Sequence, residues 1–539
     1  MITRRRLLTT TAGVAGTAGL LGTATGCGSM LTPRGSVIPQ VGRVLPSTAP
    51  LPEPYQVELP RVPVVRPDSG GRLTLTQRVA EAEILPGLTT EVWGYEGSFP
   101  GPTVEARKGE PVTLQVRNEL PTPTSTHLHG GVTPADSDGG PLDLVVPDGF
   151  DVANLDIAMA NAHGDRDDGG HGGHGGHGTG VSDIWTLHRR HRDHHYPMLQ
   201  DAALLWYHDH RMDFSAPQVW RGLAGMFVVR DDTEDALDLP SGDRELTLML
   251  TDRSFGADGQ LLYPGNDPSL TTEPGVTRDY MDGVLGDVML VNGAPSPHTR
   301  VAATTHRLRL LNACNARALR LRFRVPGRAD LAFHQIGTDI GLMAAPVERT
   351  VLDLHPAERV DLLLDLSSLP VGTEVELTND SDDPTASVLK LIIDRTGPTP
   401  APVPAVLRRD FELLEQPADV THRHFDFRLG GGHVWMINGQ PYDPRGSIAS
   451  PPLDTIEKWT FSSDFNHPVH VHLGHFQVIG AYGAGVPESE RGWKDTVNVG
   501  PYGTVDVLIR FREFTGVYML HCHNLEHEDM AMMANITVV

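Results

Sequence analysis

The chain has 539 residues, enough for about three or four domains of ordinary size, so one small domain is excluded. Its 57 Gly and 43 Pro disfavour long helices, and 44 Lys and Arg against 68 Asp and Glu leave a net charge of −24. That balance argues for turn-rich β-structure and against nucleic acid as a partner.

In chain order, the amino terminus reads as an address. Arg4, Arg5 and Arg6 precede Leu7 and Leu8, and a weakly apolar stretch rich in Ala, Gly, Thr and Leu ends at Ala24-Thr25-Gly26-Cys27. The pattern resembles a twin-arginine signal peptide over residues 1–26 joined to a lipoprotein cleavage box, with Ala24 where such boxes most often carry Leu. It implies export of the folded chain to the cell envelope or the outside, and a lipid anchor at Cys27 on the outer face of the membrane. A soluble secreted form is the alternative. The stretch is too rich in Gly and Thr for a permanent span, and no other run of about 18 apolar residues exists.

Residues 27–54 are rich in Pro, Ser, Thr and Gly, as expected of a tether. Beyond them, Val112–Arg117, Leu246–Leu250, Leu319–Phe323, Arg359–Asp365 and Val505–Phe511 read as strands. Several alternate apolar and polar residues, the signature of antiparallel sandwiches. An acidic break at Arg230–Asp235 and a Pro-rich one at Thr396–Pro404 divide the chain into blocks at 55–232, 233–400 and 401–539. Residues 162–196 depart from this texture. They hold eight of the 26 histidines, including His171, His174 and His177 spaced by Gly pairs, and are expected to form a mobile surface insertion in the first block.

The remaining histidines fall into short patterns. They are His127-Leu128-His129-Gly130, His208-Asp209-His210, His467-Pro468-Val469-His470-Val471-His472, and His521-Cys522-His523 followed by His527, Met530 and Met532. Residues two apart on an extended strand project to one face, so each H-x-H presents a preformed imidazole pair. The pairs 127/129, 208/210, 470/472 and 521/523 supply neutral imidazoles for about three metals of the imidazole-preferring class. Between His521 and His523, Cys522 must point to the opposite face, so this last strand touches two metal environments. With His467, His527 and a sulfur downstream, Cys522 completes the His₂Cys set with weak axial Met that holds blue copper, which implies outer-sphere electron transfer.

These residues, together with Trp93–Thr103, Arg307–Asn315 and Leu354–Asp361, closely resemble the multicopper oxidase family, including its laccase-like, spore-coat, phenoxazinone-synthase and copper-efflux-type members. The likeness runs from about residue 55 to the end. It implies an all-β chain of three cupredoxin-like Greek-key β-sandwich domains, with copper confined to the first and third. Carried over, His467, Cys522, His527 and Met532 match the type 1 ligands, and His127 and His470 the type 2 ligands. His129, His208 and His523 match one type 3 copper, and His210, His472 and His521 the other, making four coppers per chain. Asp138 and Glu528 match carboxylates that help deliver protons; as ordinary residues they would be loop and capping acids.

The implied reaction couples four one-electron oxidations of a small phenolic or aromatic-amine donor to four-electron reduction of O₂ to water at a trinuclear centre between the first and third domains. Oxidation of Cu(I) for copper tolerance is the alternative, with the histidine insertion serving either copper capture or merely as a linker. A copper-free structural protein of the envelope is disfavoured because every expected ligand is intact. The negative charge favours cationic donors. Only three cysteines are present, too few for a disulfide framework; Cys314 is expected to be a buried structural thiol. Met533 is expected in core packing, Trp206 and Tyr207 beneath a ligand pair, and Asp209 facing away from the metals.

Overall fold

All five expected strands extend in the computed structural model, which describes residues 40–163, 182–483 and 485–539. They run Val112–Asn118, Glu245–Arg253, Leu319–Arg324, Arg359–Asp365 and Thr504–Arg510. Val112, Leu114 and Val116 are buried while Thr113, Gln115 and Arg117 are not, the alternation of a strand with one face on a core. Arg359–Asp365 is buried along nearly its whole length, because strands on both sides and covering loops enclose it.

The strands assemble into three pairs of sheets. Between residues 64 and 230, a four-stranded sheet ordered His191–Tyr196, Val112–Asn118, Arg72–Ala82, Thr90–Tyr95 faces a five-stranded sheet that includes Thr126–His129, Ala203–Asp209 and Ala224–Arg230. Leu75 and Leu114 of one sheet meet Val104, Leu205 and Phe227 of the other. The middle pair, seven and five strands from residues 245–396, encloses Leu248, Leu308, Leu319, Leu377 and Leu391. The last pair, five and four strands from residues 421–538, encloses Phe425, Trp459, Val469, Leu520 and Ile536. Each such side chain stabilises the fold by about 1.5–3 kcal/mol relative to exposure.

Three expectations need correction. The sandwiches are mixed rather than antiparallel: Arg72–Ala82 pairs parallel with Val112–Asn118, Glu245–Arg253 with Thr305–Asn312, and Thr421–Leu429 with Ile456–Ser463. Connections that cross from one sheet to the other return the chain in the same direction, as Greek keys do.

The expected tether over residues 27–54 is corrected from residue 40 onward. Arg43–Leu45 adds a parallel strand to Val284–Gly286, and the Ser47 N–H donates to the Asp287 carboxylate at 2.6 Å. The Pro-rich composition hides these bonds because backbone groups, rather than apolar side chains, make most of them.

The insertion over residues 162–196 is likewise not a loop throughout. His191–Tyr196 pairs antiparallel with Val112–Asn118, and Thr186–Arg189 pairs parallel with Asp143–Val146. Arg192, His194 and Tyr196 face inward; Arg192 pairs with Asp143 and the His194 Nδ1–H donates to the Ser137 carbonyl at 3.2 Å, while the Tyr196 hydroxyl is buried without a protein hydrogen-bond partner. His171, His174 and His177, and Cys27 with the signal-like segment, lie outside the described residues.

The acidic break after Arg230 is a junction. Glu234 is buried and accepts from Arg230, Arg307 and Arg309 at 2.8, 2.7 and 2.6 Å. Burial alone would raise its carboxyl, but these guanidinium groups, Arg309 foremost, pull it down to about 2. The last strand of the first sandwich is thereby bonded to a central strand of the middle one.

Candidate metal centre

Two antiparallel strand pairs set the histidines opposite one another. His127 faces His208 across the Thr126–His129 and Ala203–Asp209 pair, and His470 faces His521 across the His467–Val471 and Gly516–Cys522 pair. The two pairs belong to the first and third sandwiches, and their rings interleave. His129 stacks on His470 at 3.6 Å and 15°, and His127 on His472 at 3.8 Å and 22°. His523 lies 5.0 Å from His129 and 5.2 Å from His208, ring to ring. His127, His129, His208, His210, His470, His472, His521 and His523 are each at most 1% exposed.

The ring nitrogens divide by direction. Outward, His127 Nδ1–H donates to the Asp138 carbonyl at 2.7 Å, His208 Nδ1–H to the Asp209 carbonyl at 2.9 Å, and His470 Nδ1–H to the Asp495 carbonyl at 2.9 Å. His472 Nδ1–H donates to the Asp138 carboxylate at 2.6 Å, and His129 Nε2–H to the Asp495 carboxylate at 3.1 Å. Inward, Nε2 of His127, His208, His210 and His470 and Nδ1 of His129 are buried without a protein hydrogen-bond partner. His472 Nε2 faces His521 Nε2 at 3.2 Å. Ligating histidines show this arrangement, one nitrogen fixed by an outer partner and the other left as a lone pair. Burial holds His127, His129, His470, His472 and His523 well below the usual histidine range and His208 at about 3, so the rings are neutral and ready to ligate.

On the other face of the Gly516–Cys522 strand, Cys522 Sγ lies 3.4 Å from His467 Nδ1 and 3.6 Å from His527 Nδ1, which are 3.2 Å from each other. A first-row ion with bonds of about 2.0–2.3 Å to nitrogen and sulfur fits at the centre of such a triangle. His527 is brought back by the short helix Leu525–Asp529, whose cap Asn524 accepts from the Glu526 and His527 N–H groups. The Asn524 N–H also donates to Cys522 Sγ at 3.4 Å. Met532 is fully buried in the same cluster as Cys522, Met533 packs with Met212 and Tyr442, and Met530 lies against the Trp220 cluster. Trp435 stacks on His527 at 3.8 Å.

Both expected carboxylates reach the histidines. Asp138 is bonded to His472, and burial raises its carboxyl. Glu528 follows His527 on the helix and turns to the other side, 3.3 Å from His210 Nδ1 and 3.2 Å from His521 Nδ1. Burial alone would raise Glu528, but these two imidazoles pull it well below the usual carboxylate range. Trp206 does lie beneath a ligand pair, stacked on His208 at 4.1 Å. Tyr207 bonds the Pro102 carbonyl, and Asp209 accepts from the Ser125 and Arg211 N–H groups, burial pushing its carboxyl up to about 8. Cys314 is buried, which raises its thiol, and it is a free cysteine.

Sequence reasoning did not single out Asp495, Thr496 or Trp435, and it gave no role to Arg359. Asp495 and Thr496 both accept from His129, but no short-range spacing links them to it. Arg359 sits within the Leu354–Asp361 segment, one of those that carry the family resemblance.

Two family models described as multicopper oxidase match residues 77–148 and 413–539. A bilirubin oxidase of Albifimbria verrucaria is 31% identical over 94% of this chain and 84% of its own length. A laccase of Bacillus subtilis is 30% identical over 82% of this chain and 89% of its own length. A solved multi-copper oxidase from Pediococcus acidilactici superposes with a TM-score of 0.75 at 30% identity, covering 92% of this chain and 93% of that one. If Cys522 is the thiolate ligand of a blue copper, Cys522→Ser will abolish the red-region thiolate-to-Cu(II) absorption of the copper-loaded protein; a surviving band would refute that role.

Proposed function

Since the chain belongs to the multicopper oxidase family, and is a copper enzyme with oxygen as acceptor, we propose that it is a laccase-type oxidase of phenolic or aromatic-amine donors carrying four coppers. In this reading His467, Cys522, His527 and Met532 hold type 1 copper, and His127 and His470 type 2 copper. His129, His208 and His523 hold one type 3 copper, and His210, His472 and His521 the other. The observation that carries it is the division of the ring nitrogens of His127, His129, His208 and His470, the outward one of each bonded to protein and the inward one left as a buried lone pair. Copper bound there supplies one-electron acceptance at the type 1 position and four-electron reduction of O₂ at the other three.

The protein's own part is placement, dryness and proton supply. Cys522 is joined through its backbone to His521 and His523, so a single covalent segment connects the two environments. Burial of all these side chains to at most 1% keeps bulk water away from the histidines. Asp138 and Glu528 are the carboxylates placed to relay protons beside the trinuclear position, each in contact with two of its histidines.

The laccase and bilirubin oxidase names of the relatives support organic donors, and the charge of −24 supports cationic or neutral donors over anionic ones. We also propose export by the signal-like residues 1–26 and lipid anchoring at Cys27, on the sequence patterns alone.

Asp138→Asn and Glu528→Gln are expected to lower O₂-coupled turnover by about 10²-fold or more, the usual scale of general acid and base assistance, while anaerobic bleaching of the red-region band by donor keeps its native rate. Equal loss in both measurements would remove these acids from proton delivery. For the donor, O₂ uptake with a phenol or an aromatic amine is expected to exceed uptake with Cu(I) or with the anionic bilirubin; the highest uptake with Cu(I) would make the protein a cuprous oxidase. Cys27→Ala should move the protein from the membrane fraction to the soluble one, and an unchanged distribution would exclude the anchor.

A further inference from the structure

The middle sandwich contributes none of the assigned ligands, yet one of its side chains reaches the trinuclear position. Arg359, on the strand Arg359–Asp365, has a fully buried guanidinium. Its Nη1 and Nη2 donate to Asp495 Oδ1 and Oδ2 at 2.7 and 2.5 Å. Nε donates to the Leu204 carbonyl at 3.1 Å, Nη1 to the Ala357 carbonyl at 3.0 Å, and Nη2 to the Asp339 carbonyl at 3.1 Å. Every N–H of the guanidinium fork is thus matched. Leu204 lies on the strand that carries His208, so this one residue touches all three sandwiches.

Asp495 passes the constraint on. Its carboxylate accepts from His129 Nε2–H at 3.1 Å and from the Thr496 hydroxyl at 2.8 Å, and its carbonyl accepts from His470 Nδ1–H at 2.9 Å. The two histidines so held are the stacked pair, one assigned to type 3 copper and one to type 2. Gly130, the residue after His129, has φ +87°, and a Cβ there would lie 2.8 Å from Arg359 Nη2 and from Asp495 Oδ2. The glycine of the first histidine motif therefore reserves the space of this ion pair.

We propose that Arg359 is a positioning residue for the trinuclear centre. It locks the Asp495 carboxylate against His129, which keeps the proton on Nε2 and leaves Nδ1 as the inward lone pair, while the adjoining carbonyl fixes the plane of His470. The middle sandwich thereby sets the geometry of a site for which it supplies no ligand. This inference rests on the ligand assignment above.

The test uses copper-loaded Arg359→Met. The red-region band is expected to remain, since the Cys522 triangle lies elsewhere, while the type 2 electron paramagnetic resonance signal shifts or disappears. Affinity for the trinuclear copper should fall about 10- to 100-fold, as for other outer partners of ligating histidines. Arg359→Lys, which keeps the charge but not the planar fork, is expected to restore these properties only in part. Should the unpaired Asp495 prevent folding, Arg359→Met with Asp495→Asn removes both charges and is read by the same signals. A folded Met variant, single or double, with native type 2 and type 3 spectra and native copper content overturns the proposal. His470→Ala is run alongside: a type 2 signal surviving there would mean the ligand assignment had failed, rather than the role of Arg359.

Discussion

A β-strand shows successive side chains to opposite faces, and at His521-Cys522-His523 that elementary fact places two chemically different environments on one piece of backbone. The thiol goes to one side, where His467 and His527 wait within 3.6 Å, and the imidazoles go to the other, where His472 faces His521 at 3.2 Å. Other features follow from satisfying both faces at once. The helix after the strand must turn back within a few residues so that His527 joins the thiol while Glu528, its neighbour, reaches the histidines behind. The first sandwich must dock against the third so that its own H-x-H pairs meet the second face.

Docking buries many polar rings together, which costs free energy unless each finds a partner. Backbone carbonyls of Asp138, Asp209 and Asp495 take outward N–H groups, and the Asp138 and Asp495 carboxylates take others. The unpaired atoms concentrate on the inward side, where ligation would satisfy them. A protein that needed only to pack would have placed apolar side chains there, so these inward lone pairs bear the mark of function rather than of stability.

Much of this was legible in the sequence because it is local. Strand alternation, the H-x-H spacing and the cysteine between two histidines are all patterns of period two. What escaped notice acts over long separations: Asp495 meets His129 across 366 positions and Arg359 across 136. The strand His191–Tyr196 is hidden in the sequence for another reason. Its inward residues, Arg192, His194 and Tyr196, do alternate with outward ones, but they are polar and their burial depends on Asp143 and Ser137 far upstream. The strand near residue 43 was hidden because its bonds are made by the backbone, on which Pro-rich composition is silent.

The two metal environments share the strand Gly516–Cys522 and the helix Leu525–Asp529, and His521, Cys522, His523, His527 and Met532 all fall within residues 521–539. Loss of residues 521–539 would therefore take ligands from both environments at once, while leaving His127 and His470 in place.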